Sequence, residues 1–75
     1  MEQNPKANKH DLREELKKQI MEIRDSGLAN MLDANAVQRL AHERDFYELV
    51  CLIEDHRDRY SKFILSGDEN QLTEP

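Results

Sequence analysis

A single cysteine, Cys51, stands in a chain of 75 residues, so no disulfide can close within it. Neither Cys51 nor the histidines His10, His42 and His56 have the paired spacing of a zinc site. A glycine-rich phosphate loop, a nucleophile elbow and a paired-histidine motif are also missing, and with them the usual signatures of phosphate, acyl-transfer and metalloenzyme chemistry. No stretch approaches the roughly 20 consecutive apolar residues that cross a bilayer. The opening "MEQNPKANKHD" has no apolar run of the secretion-signal kind. These absences set the expectation of a soluble, cytoplasmic protein with no membrane segment, metal or cofactor, a lone thiol being at home in a reducing compartment.

A chain this short forms one domain and buries only about 60 to 65% of its extended surface, so its stability is marginal unless something adds to the core. With disulfide and metal staples lacking, self-association is the expected supplement. Enzymes need a concave pocket with converging polar groups, which three short helices seldom enclose, so catalysis is not expected.

The formal charge is -5 with a pI near 5.1, which opposes a general affinity for nucleic acid or anionic membrane. From Lys9 to Gly67 there are ten basic and twelve acidic residues, and Asp68, Glu69 and Glu74 follow as further acids. The body is therefore nearly balanced. A basic face made by Arg39, Arg44, Arg57, Arg59 and Lys62 is the alternative route to a nucleic-acid role, through phosphate contacts.

Residues 1–8 carry Pro5 and polar groups without periodic apolar positions, and read as a flexible arm; the acidic segment 68–75 reads as a flexible tail. Between them lies the expected domain, 9–67. Leu12, Leu16, Gln19/Ile20 and Ile23 have the spacing of one helical stripe, and Ser26-Gly27 fits a left-handed cap at its end. "LANML" connects to a second helix with Asp33 as N-cap and Val37, Leu40 and Ala41 as its apolar side. Asp45, with Glu48 three residues on, reads as the capping box of a third helix that runs about six turns to Gly67. The fold class expected is all-α: a small three-helix domain with a long C-terminal helix.

On a wheel of 100° per residue, Phe46, Leu49, Val50, Leu52, Ile53, Tyr60, Phe63 and Ile64 span an apolar sector of about 160°, wider than the ~100° of an ordinary surface helix. That excess predicts a homodimer, with Phe46, Leu49, Val50, Leu52, Ile53, Phe63 and Ile64 in the dimer seam or core. On the same wheel Cys51 and His56 lie about 140° apart, which is poor geometry for a thiolate-imidazole pair within the helix. Cys51 then reads as a small, partly buried apolar residue.

"EDHRDR", residues 54–59, reads most simply as a solvated face, with Asp55 and Arg59 paired across one turn. The sharper reading makes it the rim of an interface, because arginine beside aromatic anchors is the composition of binding hot spots. Tyr47, His56, Arg57, Arg59 and Tyr60 are the expected contacts with a protein partner. "HERDF" has no glycine turn, and acids at the start of the third helix would repel phosphate, so a helix-turn-helix is not expected.

The motifs "SGLANM" at Ser26–Met31, Asp33, Val37-Gln38, "FYELV" at Phe46–Val50, "IEDHR" at Ile53–Arg57, Tyr60 and "FILSG" at Phe63–Gly67 together resemble a family of short proteins of unknown function from Gram-positive bacteria and their phages. The resemblance covers about residues 20–67 and departs at Leu32, where phenylalanine is expected. It implies a small helical protein with no assigned activity. Small phage-borne proteins of this type often bind a host protein, so a binding module or modulator is the function the analogy favours.

Overall fold

The computed structural model describes residues 9–73. It contains α1 (Lys9–Ser26), α2 (Ala34–Glu43), α3 (Tyr47–Asp55), α4 (Arg57–Ser66) and a C-terminal 3-10 turn (Glu69–Leu72). No strand occurs among the described residues, and the all-helical class is as expected. None of the described helices is long and apolar enough to cross a membrane.

The α1 stripe buries Leu16, Ile20 and Ile23, each at 1% exposure or less, while Leu12 at the amino-terminal end is 36% exposed. Gly27 ends this helix at φ 70, a conformation that costs glycine nothing because it has no Cβ. Ser26 Oγ donates back to the Ile23 carbonyl and accepts from Leu28 N. In the connector, Asn30 Oδ1 accepts from Leu32 N, an Asx turn that brings the chain to Asp33. Asp33 accepts from Ala36 N and caps α2, satisfying one of the amides that a helix start leaves free.

Asp45 corrects an expectation. It does not cap the third helix; it sits at φ 61 just beyond the end of α2. Phe46 N donates to the Ala41 carbonyl and Asp45 N to the His42 carbonyl, the two reverse bonds of a Schellman ending, with aspartate in the left-handed position that glycine usually takes. Phe46 becomes the N-cap of α3 and has no side chain able to cap.

The expected six-turn helix is broken at His56, which has φ -142 and ψ 57 and serves as both C-cap of α3 and N-cap of α4. The wide apolar sector belongs to one continuous helix, and the break divides it between two helices. Leu49, Leu52, Ile53 and Tyr60 join Leu16, Ile20, Ile23, Val37 and Ala41 in one core, and Phe46, Val50, Phe63 and Ile64 pack half-buried against it. Within one chain the band is thus sealed at Leu49, Leu52, Ile53 and Tyr60 and half-covered at Phe46, Val50, Phe63 and Ile64. The Asp55–Arg59 ion pair is also absent among the described residues, because the break between them removes the one-turn spacing it needed.

Gly67 ends α4 at φ 76. The expectation of a loose tail is corrected over 69–72: Asp68 accepts from Asn70 N, and the resulting turn buries Leu72 to 2% exposure. The expected arm, 1–8, and the last two positions lie outside the described residues.

Tyr60 is fully buried, and its hydroxyl donates to the Met31 carbonyl at 2.6 Å. This bond ties α4 to the connector that follows α1. Burial pushes the phenol above its ordinary range, because the anion would lose hydration there. Tyr60→Phe should cost about 1 to 2 kcal/mol, the cost of leaving a part-buried carbonyl unpaired. Because the folded-state pKa is raised, this contribution is whole below the unfolded phenol pKa of about 10 and declines as pH rises above it. Urea midpoints measured between pH 7 and 11 should fall more steeply above pH 10 in the native chain than in Tyr60→Phe; parallel curves would contradict this.

Candidate functional site

An open groove of about 510 Å³ lies between the amino-terminal half of α1, the outer face of α3, the start of α4 and the C-terminal turn. Leu12, Leu16, Leu52 and Leu72 supply its apolar lining, while Tyr47, Glu48, Asp55, His56 and Arg59 bring polar groups to it. The volume falls within the range of about 300 to 1,000 Å³ typical of ligand sites.

The backbone positions these side chains through three devices. The first is the cap of α3. Because Phe46 offers no side-chain acceptor, Gln19 reaches from α1: its Oε1 accepts from Leu49 N at 3.1 Å, and its Nε2 donates to Glu48 at 2.9 Å and to Glu15 at 3.0 Å. Gln19 is only 3% exposed, so the carboxamide is an internal clamp that sets the distance between the two walls of the groove. The second device is Gln38, whose Nε2 donates to the Val50 carbonyl and to Glu54, tying α3 to α2.

The third device is the left-handed Asp45, which accepts from the Tyr47 hydroxyl at 2.9 Å. The carboxylate acceptor holds the Tyr47 phenol above its ordinary range, since losing the proton would place two anions together. The His42 ring meets the Tyr47 ring edge-on, with centroids 6.3 Å apart. Tyr47 is therefore held in place while 56% exposed.

Of the five residues expected to meet a partner, Tyr47, His56 and Arg59 line this groove and Arg57 is exposed outside the lining. Tyr60 is corrected: its side chain is inside the core and its hydroxyl is committed to Met31. Cys51 is corrected too, being exposed and part of the groove lining rather than partly buried. Cys51 and His56, placed on different faces by an unbroken wheel, border the same groove because His56 leaves the helical path. Arg39, Arg44 and Lys62 are exposed, without ion-pair partners among the described residues.

Two contributors went unread in the sequence. Gln19 was placed on the apolar stripe by spacing, and a polar residue inside such a stripe is the signal that it holds something. Leu72 lies in the segment that reads as a tail, although Asp68 before a run containing an isolated leucine is a cap followed by an apolar plug.

A family model described as "Domain of unknown function (DUF5049)" matches residues 12–68. No match was found among curated proteins or among solved structures. The matched span contains every groove-lining residue from Leu12 to Arg59 and stops before the 3-10 turn, which supplies Leu72 and, just after it, Thr73.

Proposed function

Because the chain belongs to the DUF5049 family, whose description assigns no activity, we propose its role from geometry: it is a docking module that takes a short segment of another polypeptide into the groove between α1 and α3. The observation that carries this reading is one open, leucine-lined groove with a fixed, exposed tyrosine and an arginine at its border. Apolar floor, aromatic anchor and charged rim are the anatomy of peptide-binding grooves. The role is docking rather than catalysis, and the groove, not a broad apolar band, is the surface for a partner.

Screening a library of displayed random peptides against the full chain should enrich binders. Cys51→Trp should weaken them about 10-fold or more, a step of about 1.4 kcal/mol in affinity. Since Cys51 is exposed, the substitution fills the groove while leaving stability within about 0.5 kcal/mol. Peptides that bind both forms equally, or no enrichment at all, would remove the proposal. A chain that sediments as a dimer and becomes monomeric in Cys51→Trp would assign the groove to a second copy instead.

A further inference from the structure

The C-terminal turn is attached differently from the rest of the core. It lies beyond the span of the family match, and Gly67 at φ 76 turns the chain back toward α1 to reach it. One apolar side chain, Leu72, enters the core. Two polar clasps hold the turn to α1: Lys17 Nζ to Glu69 Oε2 at 2.9 Å, and Arg13 Nε to Thr73 Oγ1 at 3.3 Å. Both partners of the Lys17–Glu69 pair remain solvent-accessible, at 34% and 45%. Leu72 and Thr73 form one end of the groove, which continues open past Leu12, Leu16 and Leu52.

Resting on the docking role proposed above, we infer that residues 69–73 are an intramolecular occupant of one end of this groove, and that its partner is a polypeptide segment presenting the same features: a carboxylate followed three residues later by leucine. The carboxylate pairs with Lys17 and the leucine takes the position of Leu72. The physical case is that a single leucine plug and two accessible polar clasps form a detachable unit, of the kind that opens locally without global unfolding. The Gly67-Asp68 link keeps the turn at an effective concentration in the millimolar range, so the chain's own segment excludes weak competitors and yields to a better one. The charge pair sets which segment fits more than how tightly it binds.

The test uses the full chain and a fluorescein-labelled peptide of residues 67–75, "GDENQLTEP", read by anisotropy. Leu72→Asp should detach the turn and bind the peptide saturably, about 10-fold or more tightly than the native chain, in which the end of the groove that takes Leu72 is filled in cis. The same peptide with Leu72→Asp should not bind. Adding Lys17→Glu to the Leu72→Asp chain should weaken the peptide about 2- to 5-fold, and a peptide carrying Glu69→Lys should restore the loss.

A folded Leu72→Asp chain that ignores the peptide, or that binds both peptides alike, would overturn the inference. Should that variant not fold, Glu69→Arg alters only an accessible pair and should raise peptide binding several-fold. In the native chain, millimolar peptide should move the Leu72 methyl resonances toward their solvent-exposed positions, and unmoved resonances would overturn the inference as well. If displayed peptides still depend on Cys51 while this peptide fails, the groove keeps its docking role with an occupant of other chemistry; if both fail, both readings go.

Discussion

Ile53→Asp should leave no folded protein at neutral pH. Ile53 is fully buried in α3, the helix that packs against α1, α2 and α4, with Leu49 and Leu52 beside it in the same core. The substitution removes about 1.5 to 3 kcal/mol of apolar burial. It also places a carboxyl group in a core whose one buried polar side chain among the described residues, Gln19, is already committed to Leu49, Glu48 and Glu15. Burying even the neutral, unpaired acid costs about 2 to 7 kcal/mol. A domain of this length has about 4 to 11 kcal/mol of stability in all, so the combined penalty removes most or all of it. Circular dichroism at 222 nm should show the helical signal largely gone, whereas the control Ile53→Val should melt cooperatively with a loss of about 0.5 to 1.5 kcal/mol. A cooperative Ile53→Asp melt close to that of the native chain would show that Ile53 is not in a sealed core.

Gln19→Ala should be the most damaging polar substitution, at about 2 to 3 kcal/mol. Leu49 is the third residue of α3, so its N–H has no partner within the helix. The residue in the N-cap position, Phe46, cannot supply one. Gln19 does so from another helix, and its removal leaves a buried donor unpaired, which costs about 1 to 3 kcal/mol, in addition to the methylenes lost from the interior. The chemical denaturation midpoint should fall accordingly, and amide exchange should accelerate first at Leu49 and its neighbours in α3. Gln19→Glu keeps an acceptor for Leu49 but sets a third carboxylate beside Glu15 and Glu48, so it should not rescue. A Gln19→Ala chain within about 0.5 kcal/mol of the native one would mean that water replaces the carboxamide and that the clamp carries little.

The consequences for the groove differ between these two changes. Ile53 supports all of the walls, so its loss removes the site together with the fold. Gln19 sets the approach of α1 to α3, the two helices that supply Leu12, Leu16, Leu52 and Tyr47. At low denaturant, where Gln19→Ala remains folded, peptide binding should weaken before helicity does, since freeing the start of α3 releases the wall that carries Tyr47.

Local physics made much of the chain readable without coordinates. Gly27 and Gly67 end helices in the left-handed region, and Asp33 caps α2 with its own carboxylate; each depends on a residue and its immediate neighbours. The stripe of Leu16, Ile20 and Ile23 needs only the helical period. Asp45 shows the limit of such reading, because aspartate suits both an N-cap and a left-handed ending, and only the path from α2 into α3 selects the second. His56 shows it more sharply. Neither proline nor glycine marks the break, and the apolar period runs on through it, so local preference alone describes a single helix.

The helical class, the helix ends at the two glycines and the apolar positions of α1 and α2 were therefore determined by the sequence itself, through backbone sterics and periodic burial over a few residues. The break at His56, the capping of α3 by a side chain 30 positions earlier, the inward turn of Tyr60 and the return of Leu72 to the core were decided by tertiary structure. A helix that continued past Asp55 would forgo the Tyr60 bond to the Met31 carbonyl and redirect everything after it, including the leucine that closes one end of the groove. Those contacts join residues far apart in the chain, and their free energy exists only once the other helices are in place.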